Sequence, residues 1–162
     1  MIDEYLAFAR GEAGEPAQSV QVADLLGAAA DDARRAGAEV EVQSPAGLTA
    51  SVRPMAFKRA LTNLAGNAAA HGDHVRLSAR PLTSGGLEIV IEDDGPGIPE
   101  DLHEEAFRPF SRLDESRNQN HKGVGLGLAI ARDVARGHGG DITLDRSDLG
   151  GLSARLRLPG LK

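Results

Sequence analysis

The chain has no cysteine and no tryptophan among its 162 residues. Without Cys, disulfides and thiolate metal sites are excluded. Aromatic residues make up only 3%, too few for a surface that stacks nucleic-acid bases. Positive charge is also scarce. Eighteen Lys and Arg against 24 Asp and Glu give a formal net charge of −6, which disfavours non-specific nucleic-acid binding. No apolar run approaches the roughly 18 residues of a membrane span, and Met1-Ile2-Asp3-Glu4 does not read as a basic leader. These absences predict a cytosolic chain that contacts neither nucleic acid nor membrane. What is present is ordinary for a globular protein: 41% hydrophobic and 26% charged residues, in a length that suits one domain with its own core.

Periodicity divides the chain into short elements. Residues 1–10 (MIDEYLAFAR) place Met1, Ile2, Tyr5, Leu6 and Ala9 at helical spacing, but ten residues are too few for a stable isolated helix. Residues 11–18 read as a linker by their Gly, Pro and Glu content. Val22, Leu25, Leu26, Ala29 and Ala33 predict a helix, with start chemistry from Ser19 or Asp24 and a stop at Gly37. Residues 39–43 and 48–52 alternate as two short strands joined across Ser44-Pro45-Ala46-Gly47. Pro54 opens a helix that runs to about Ala70. Val75, Leu77 and Ala79, then Leu87, Ile89 and Ile91, mark two strands around a turn at residues 83–86. A short helix over 99–106 precedes a long polar loop at 107–122, a length typical of lids or disordered segments. A helix over 126–136 and strands at 141–144 and 152–158 complete the chain. The pattern is neither alternating βαβα nor all-β, and it predicts an α+β, two-layer sandwich with helices on one face of a mixed sheet.

Three motifs carry chemistry, in fixed order. Asn63-Leu64-Ala65-Gly66-Asn67-Ala68 lies on a helix, so the amides of Asn63 and Asn67, four apart, share a face. An amide oxygen is a suitable hard ligand for Mg²⁺, although two surface residues or caps would look the same. Asp93-Asp94-Gly95-Pro96-Gly97-Ile98 ends a strand with a carboxylate and a tight turn. The carboxylate can accept from the exocyclic amine of adenine, and Gly97 would let the backbone approach the base; an acidic surface turn is the plain alternative. Gly123-Val124-Gly125-Leu126-Gly127-Leu128 opens a helix whose exposed N–H groups favour phosphate. It follows a polar loop rather than a strand, against a dinucleotide-binding βαβ unit, and no Walker GK[ST] is present. Arg108, Arg112, Arg117 and Lys122 share that loop with only Asp114 and Glu115, a local charge reversal that suits a triphosphate; a solvated charged loop is the plain alternative.

Together the motifs resemble the catalytic ATP-binding domain of bacterial sensor histidine kinases, in the Bergerat superfamily of gyrase, Hsp90, kinase and MutL ATPases. The resemblance covers about residues 22–159 and is strongest to the EnvZ-like osmosensor subgroup, through LTNLAGNAA and GGLSARLRLP. It implies a Bergerat fold, with about three helices on a mostly antiparallel sheet and a long ATP lid. It also implies ATP and Mg²⁺ as cofactors. Asn67 matches the Mg²⁺-coordinating Asn, and Asp93 the adenine-binding Asp. Gly95, Gly97 and Ile98 match the nucleotide turn, and Gly123, Val124, Gly125, Leu126, Gly127 and Leu128 the phosphate loop. Phe107 and Phe110 would anchor the lid, with Phe110 and one or two of the cations (Arg112, Arg117 and Lys122 the candidates) reaching nucleotide. Asn63, Asn67 and Lys122 form the expected catalytic set. Two departures stand out: Ala70 replaces a frequent Lys or Arg, and His71 a frequent Tyr beside adenine. His71 could stack on the base or interact with the helix dipole.

The implied activity is γ-phosphoryl transfer to a histidine on another domain or chain, ahead of a response regulator. None of His71, His74, His103, His121 and His138 lies in a phosphoacceptor-like helix. MIDEYLAFAR resembles the end of the family's second dimerisation helix, so the resemblance implies that 1–18 are the end of a dimerisation helix plus linker, and 19–162 a monomeric catalytic domain of an inner-membrane sensor. Anti-sigma-type serine kinases and clamp ATPases resemble each other in placing Glu where this chain has Asn63, and Asn cannot act as that base. A pseudokinase working by contact alone is disfavoured by the intact Asn67, Asp93 and glycines.

Overall fold

A computed structural model describes residues 15–83, 85–108 and 127–159. Helix α1 (Val22–Arg35) turns Val22, Leu25, Leu26, Ala29, Ala30 and Ala33 inward, the single apolar stripe of a surface helix. Neither Ser19 nor Asp24 caps it. Gln21 precedes the helix with extended backbone and no side-chain hydrogen bond. Asp24 lies in the first turn and Arg34 and Arg35 in the last, where their charges complement the helix dipole. Gly37 then turns the chain at φ 103°, in the region that favours glycine.

Helix α2 (Pro54–His71) buries Phe57, Leu61, Leu64 and four alanines, and its second half carries Asn63 and Asn67. Its own N-cap residue, Arg53, offers no side-chain bond, so the first N–H groups are satisfied from elsewhere. Glu15 accepts from the Met55 N–H at 2.8 Å and the Ala56 N–H at 3.1 Å. A stretch with linker composition thus supplies the cap of the central helix. His138 pins the same end, its Nε2 accepting from the Arg53 N–H at 2.9 Å while Nδ1 donates to the Val134 carbonyl at 2.7 Å. Replacing Glu15 by Ala is expected to cost about 1 kcal/mol, as for other lost caps. A thermal melt should then fall by about 3 °C for a chain of this size.

Strands β2 (Glu39–Gln43), β4 (His74–Pro81), β5 (Leu87–Asp93), β6 (Asp141–Arg146) and β7 (Leu152–Leu158) form one sheet in the order β2-β4-β5-β7-β6. The β2–β4 pair is parallel and the others antiparallel, so the sheet is mixed and mostly antiparallel. β1 (Gln18–Gln21) and β3 (Thr49–Val52) make a separate antiparallel ribbon. The two strands expected to be joined across residues 44–47 therefore pair with different partners, not with each other. The linker reading of residues 11–18 also ends early, because Gln18 already pairs with Val52.

α1, α2 and helix α4 (Gly127–Gly137) pack side by side on one face of the sheet. Leu77, Ile89, Ile91, Ile142 and Leu156 point toward them and are fully or nearly fully buried. The opposite face is built from charge. Glu88 is 1% exposed and accepts from Arg80 at 2.8 Å and from Arg157 at 2.7 Å. Burial pushes the Glu88 carboxyl up, but the two arginines outweigh it and hold it below the usual carboxylate range. Central strand β5 is thereby buried on both faces. A 3-10 turn (Glu100–Leu102) and short helix α3 (His103–Ala106) follow β5.

Candidate functional site

The site forms where β5 ends beneath α2. Asp93 is the last residue of β5 and 1% exposed. Its Oδ1 accepts from the Gly95 N–H at 2.9 Å and the Leu152 N–H at 3.2 Å, and its carbonyl accepts from the Gly151 N–H at 3.0 Å. A buried carboxylate is stable only when hydrogen-bonded, and these contacts fix it at the mouth of the sheet.

The glycines around it serve different physical ends. A Cβ on Gly95 would lie 2.2 Å from the His71 carbonyl oxygen, so this glycine lets the turn press against the end of α2. Gly97 instead adopts φ 72°, and its nearest neighbours are ordinary contacts with Gly151; conformation explains this glycine. Gly151 is the residue that sequence reading missed. A Cβ there would lie 2.1 Å from Asp93 Oδ1 and 2.6 Å from both the Asp93 carbonyl oxygen and the Gly95 nitrogen. Its sequence signals are the turn-like Gly150-Gly151 pair and its place at the head of GGLSARLRLP, which reads as part of the family's final strands and not as a site.

Asn63, Asn67 and His71 lie on successive turns of α2, all partly buried. The Asn63 amide nitrogen is buried with no hydrogen-bond partner among the described residues. Gly127 opens α4 beside it: a Cβ there would sit 3.8 Å from the Asn63 carbonyl oxygen. Leu128 is buried beneath, and Ile98 packs against the core from the turn. Contacts join Gly95 to His71 and Asp93, Gly97 to Gly151 beside Asp93, and Gly127 to Asn63; Asn67 shares α2 with Asn63 and His71, and Ile98 and Leu128 pack into or against the core. Phe110, Arg112, Arg117, Lys122, Gly123, Val124, Gly125 and Leu126 lie outside the described residues.

Phe107 is buried, under the Arg132 guanidinium at 4.2 Å from the ring centre. Arg132 also donates to Glu104 at 2.8 Å and Asp141 at 3.1 Å, tying α3 to α4 and β6. A cavity of about 560 Å³ opens beside the turn, lined among others by Gly97, Ile98, His103, Leu144, Arg146 and Gly151. Asn67, His71 and Asp93 do not line it, so it flanks the turn and does not lie over Asp93. No group of three or more His, Asp or Glu able to hold a metal occurs among the described residues. A divalent cation here would depend on the Asn67 amide and on oxygens brought by a ligand.

The family model for histidine kinase-, DNA gyrase B- and HSP90-like ATPases, HATPase_c, matches residues 52–162. The chain belongs to the HATPase_c family. Its relatives include sensor histidine kinases. The sensor histidine kinase GtrS of Pseudomonas aeruginosa is 41% identical over 128 residues, covering 78% of this chain and 26% of GtrS. The crystal structure of the ATP-binding domain of PrrB from Mycobacterium tuberculosis superposes with a TM-score of 0.70 at 34% identity, covering 91% of this chain and all of that domain. The histidine kinase domain of the E. coli osmosensor EnvZ gives a TM-score of 0.67 at 31% identity, covering 91% of each chain. The HATPase_c chain spans about a quarter to a third of the length of the curated relatives it matches (26% of GtrS, 32% of PrrB). It is therefore a histidine-kinase-type ATPase domain with the α+β Bergerat fold. Among its described residues no helix is long and apolar enough to cross a membrane.

Proposed function

We propose that the chain binds Mg-ATP and transfers the γ-phosphoryl group to a histidine on a separate dimerisation domain, as the catalytic part of a cytoplasmic two-component signalling module. The observation that carries this reading is the buried Asp93 carboxylate, held by the Gly95 and Leu152 N–H groups against the end of α2. A fixed acceptor in a dry, glycine-lined turn suits the adenine amine. The Asn67 amide would hold Mg²⁺ together with phosphate oxygens, and the metal would offset charge on the transferring group. His71 would stack on the base, and the glycines around Gly127 would receive the phosphates through α4's N–H groups.

In the proposed transfer a neutral imidazole nitrogen attacks the γ-phosphorus, the bond to the bridging β–γ oxygen breaks, and ADP leaves. The imidazole lone pair needs no base, which agrees with Asn rather than Glu at position 63. The domain's task is positioning and charge stabilisation. On this reading residues 19–162 form the catalytic domain, and 1–18 end a dimerisation helix and link it. The implied partners are a histidine-bearing dimerisation domain and a response regulator.

Calorimetric titration with ADP, with and without Mg²⁺, tests the binding half; absence of saturable binding would refute it. Asn67→Ala tests the metal. Transfer to a supplied histidine domain should fall by about 100-fold or more, the scale of a lost transition-state charge contact, and ADP affinity should stop responding to Mg²⁺. Transfer at the native rate would remove Asn67 from the metal site.

A further inference from the structure

We propose that His74, acting through Asp94, is a positioning residue for the nucleotide turn 93–95, an assignment that rests on reading that turn as the adenine site. Asp94 sits between the adenine-facing Asp93 and the wedged Gly95. Its Oδ1 accepts from the Asp73 N–H at 2.8 Å and the His74 N–H at 3.0 Å, and its Oδ2 lies 2.7 Å from His74 Nδ1. On the other side of the ring, His74 Nε2 lies 3.1 Å from Glu39 Oε2 at the start of β2. One imidazole therefore joins the edge strand of the sheet to the turn.

The grip reaches the site through short backbone links. A Cβ on Gly72 would lie 2.7 Å from Asp94 Oδ1, so the end of α2 fits closely around this carboxylate. The next residue, Gly95, abuts the His71 carbonyl and donates to Asp93 Oδ1. Where Asp94 holds residues 73 and 74 sets how closely the Asp93 turn lies against the helix bearing Asn67 and His71.

The chain of contacts is complete in one protonation state only. A neutral imidazole carries a single N–H and cannot donate to both Glu39 and Asp94; the imidazolium donates to both. The charged groups facing the ring are Asp94 from the turn after β5, Glu39 from β2 and Asp73 from the loop before β4. The hydrogen bond and charge of Asp94, helped by Glu39 and Asp73 against the cost of desolvation, raise the imidazole above its ordinary value of 6.5. The Glu39–His74–Asp94 link, the latch, is therefore whole below that ordinary value; as pH rises through the raised one it loses its charge and one of its two ring hydrogen bonds, while Asp94 keeps its two backbone N–H donors. Nucleotide affinity should fall across that window by about two- to five-fold, the range reached by exposed ion pairs.

The test compares the native chain with His74→Gln by ADP calorimetry from about pH 6 to about pH 9, the span over which a histidine titrates, and by amide NMR without nucleotide. The affinity ratio of native to variant should be greatest at low pH and converge toward one at high pH. The Gly95 amide should shift with the His74 imidazole midpoint in the native chain and stay still in His74→Gln. A ratio constant with pH overturns the positioning role, and a Gly95 amide that ignores the imidazole overturns the latch. Absence of ADP binding in both proteins at every pH refutes the adenine site instead, and the amide titration then decides alone whether the latch reaches the turn.

Discussion

Asp93→Ala is expected to abolish adenine-nucleotide binding, and Asp93→Asn to do nearly the same while leaving the fold intact. The two variants separate the chemistry from the architecture. Asp93 is 1% exposed, and its Oδ1 satisfies the N–H groups of Gly95 and Leu152. Alanine removes the acceptor and strands two donors, at a cost of about 1–3 kcal/mol for each one left buried. The turn would loosen, and a loss of binding would then have two explanations. Asparagine keeps one oxygen for those donors. Its amide nitrogen, however, is a donor, and adenine's exocyclic amine is a donor too. In a site with little water that clash should weaken ADP by about 100-fold, or about 2.7 kcal/mol. Calorimetry measures the loss, and a circular-dichroism melt within a few degrees of native would show that the turn survives. An Asp93→Asn chain that binds ADP as tightly as native would remove Asp93 from the adenine contact.

Legibility in the sequence followed the range over which each feature is decided. α1 and β5 were readable because their apolar spacing is local: Val22, Leu25, Leu26 and Ala29 on one stripe, Leu87, Ile89 and Ile91 on one face. β1 was not, because QSVQ has one apolar residue and becomes a strand only by pairing with Thr49–Val52. The partition of β2 and β3 was hidden for the same reason. Neighbours in sequence suggest a hairpin, but β2 finds its partner beyond α2, in the parallel register Glu39↔His74. Glu88 and Glu92 look like surface alternation, yet arginines from β4 and β7 cover them. Among site residues, the amides of α2, Asp93 and the turn glycines were visible as motifs. The folded chain adds a ground for Gly95 that the motif did not show, its close approach to the His71 carbonyl at the end of α2. Gly151, Asp94 and Glu15 act across the fold, on partners that no spacing rule connects.

Gly151→Ala should be among the most damaging single-methyl additions to this domain, and Gly150→Ala shows why. Gly150 has φ 111° but nothing within 4 Å of its would-be Cβ. Alanine there meets only backbone strain, about 1 kcal/mol. Gly151 has no positive φ to defend, yet a methyl would lie 2.1 Å from Asp93 Oδ1 and 2.6 Å from the Gly95 nitrogen. Neither obstacle is the free end of a flexible side chain. One is a carboxylate locked by two N–H groups, and the other is backbone. Either the β6–β7 turn lifts, breaking the Gly151 N–H bond to the Asp93 carbonyl, or the carboxylate rotates out of its cradle. Overpacking of this kind costs about 2–3 kcal/mol, a fall of about 6–10 °C in melting temperature. ADP affinity should drop about tenfold in the fraction that remains folded, because both relaxations move the acceptor meant for adenine. Gly150→Ala should lose stability without losing affinity. Equal behaviour of the two variants in both measurements would mean that the cradle around Asp93 yields freely, and that its glycine has no part in presenting the carboxylate.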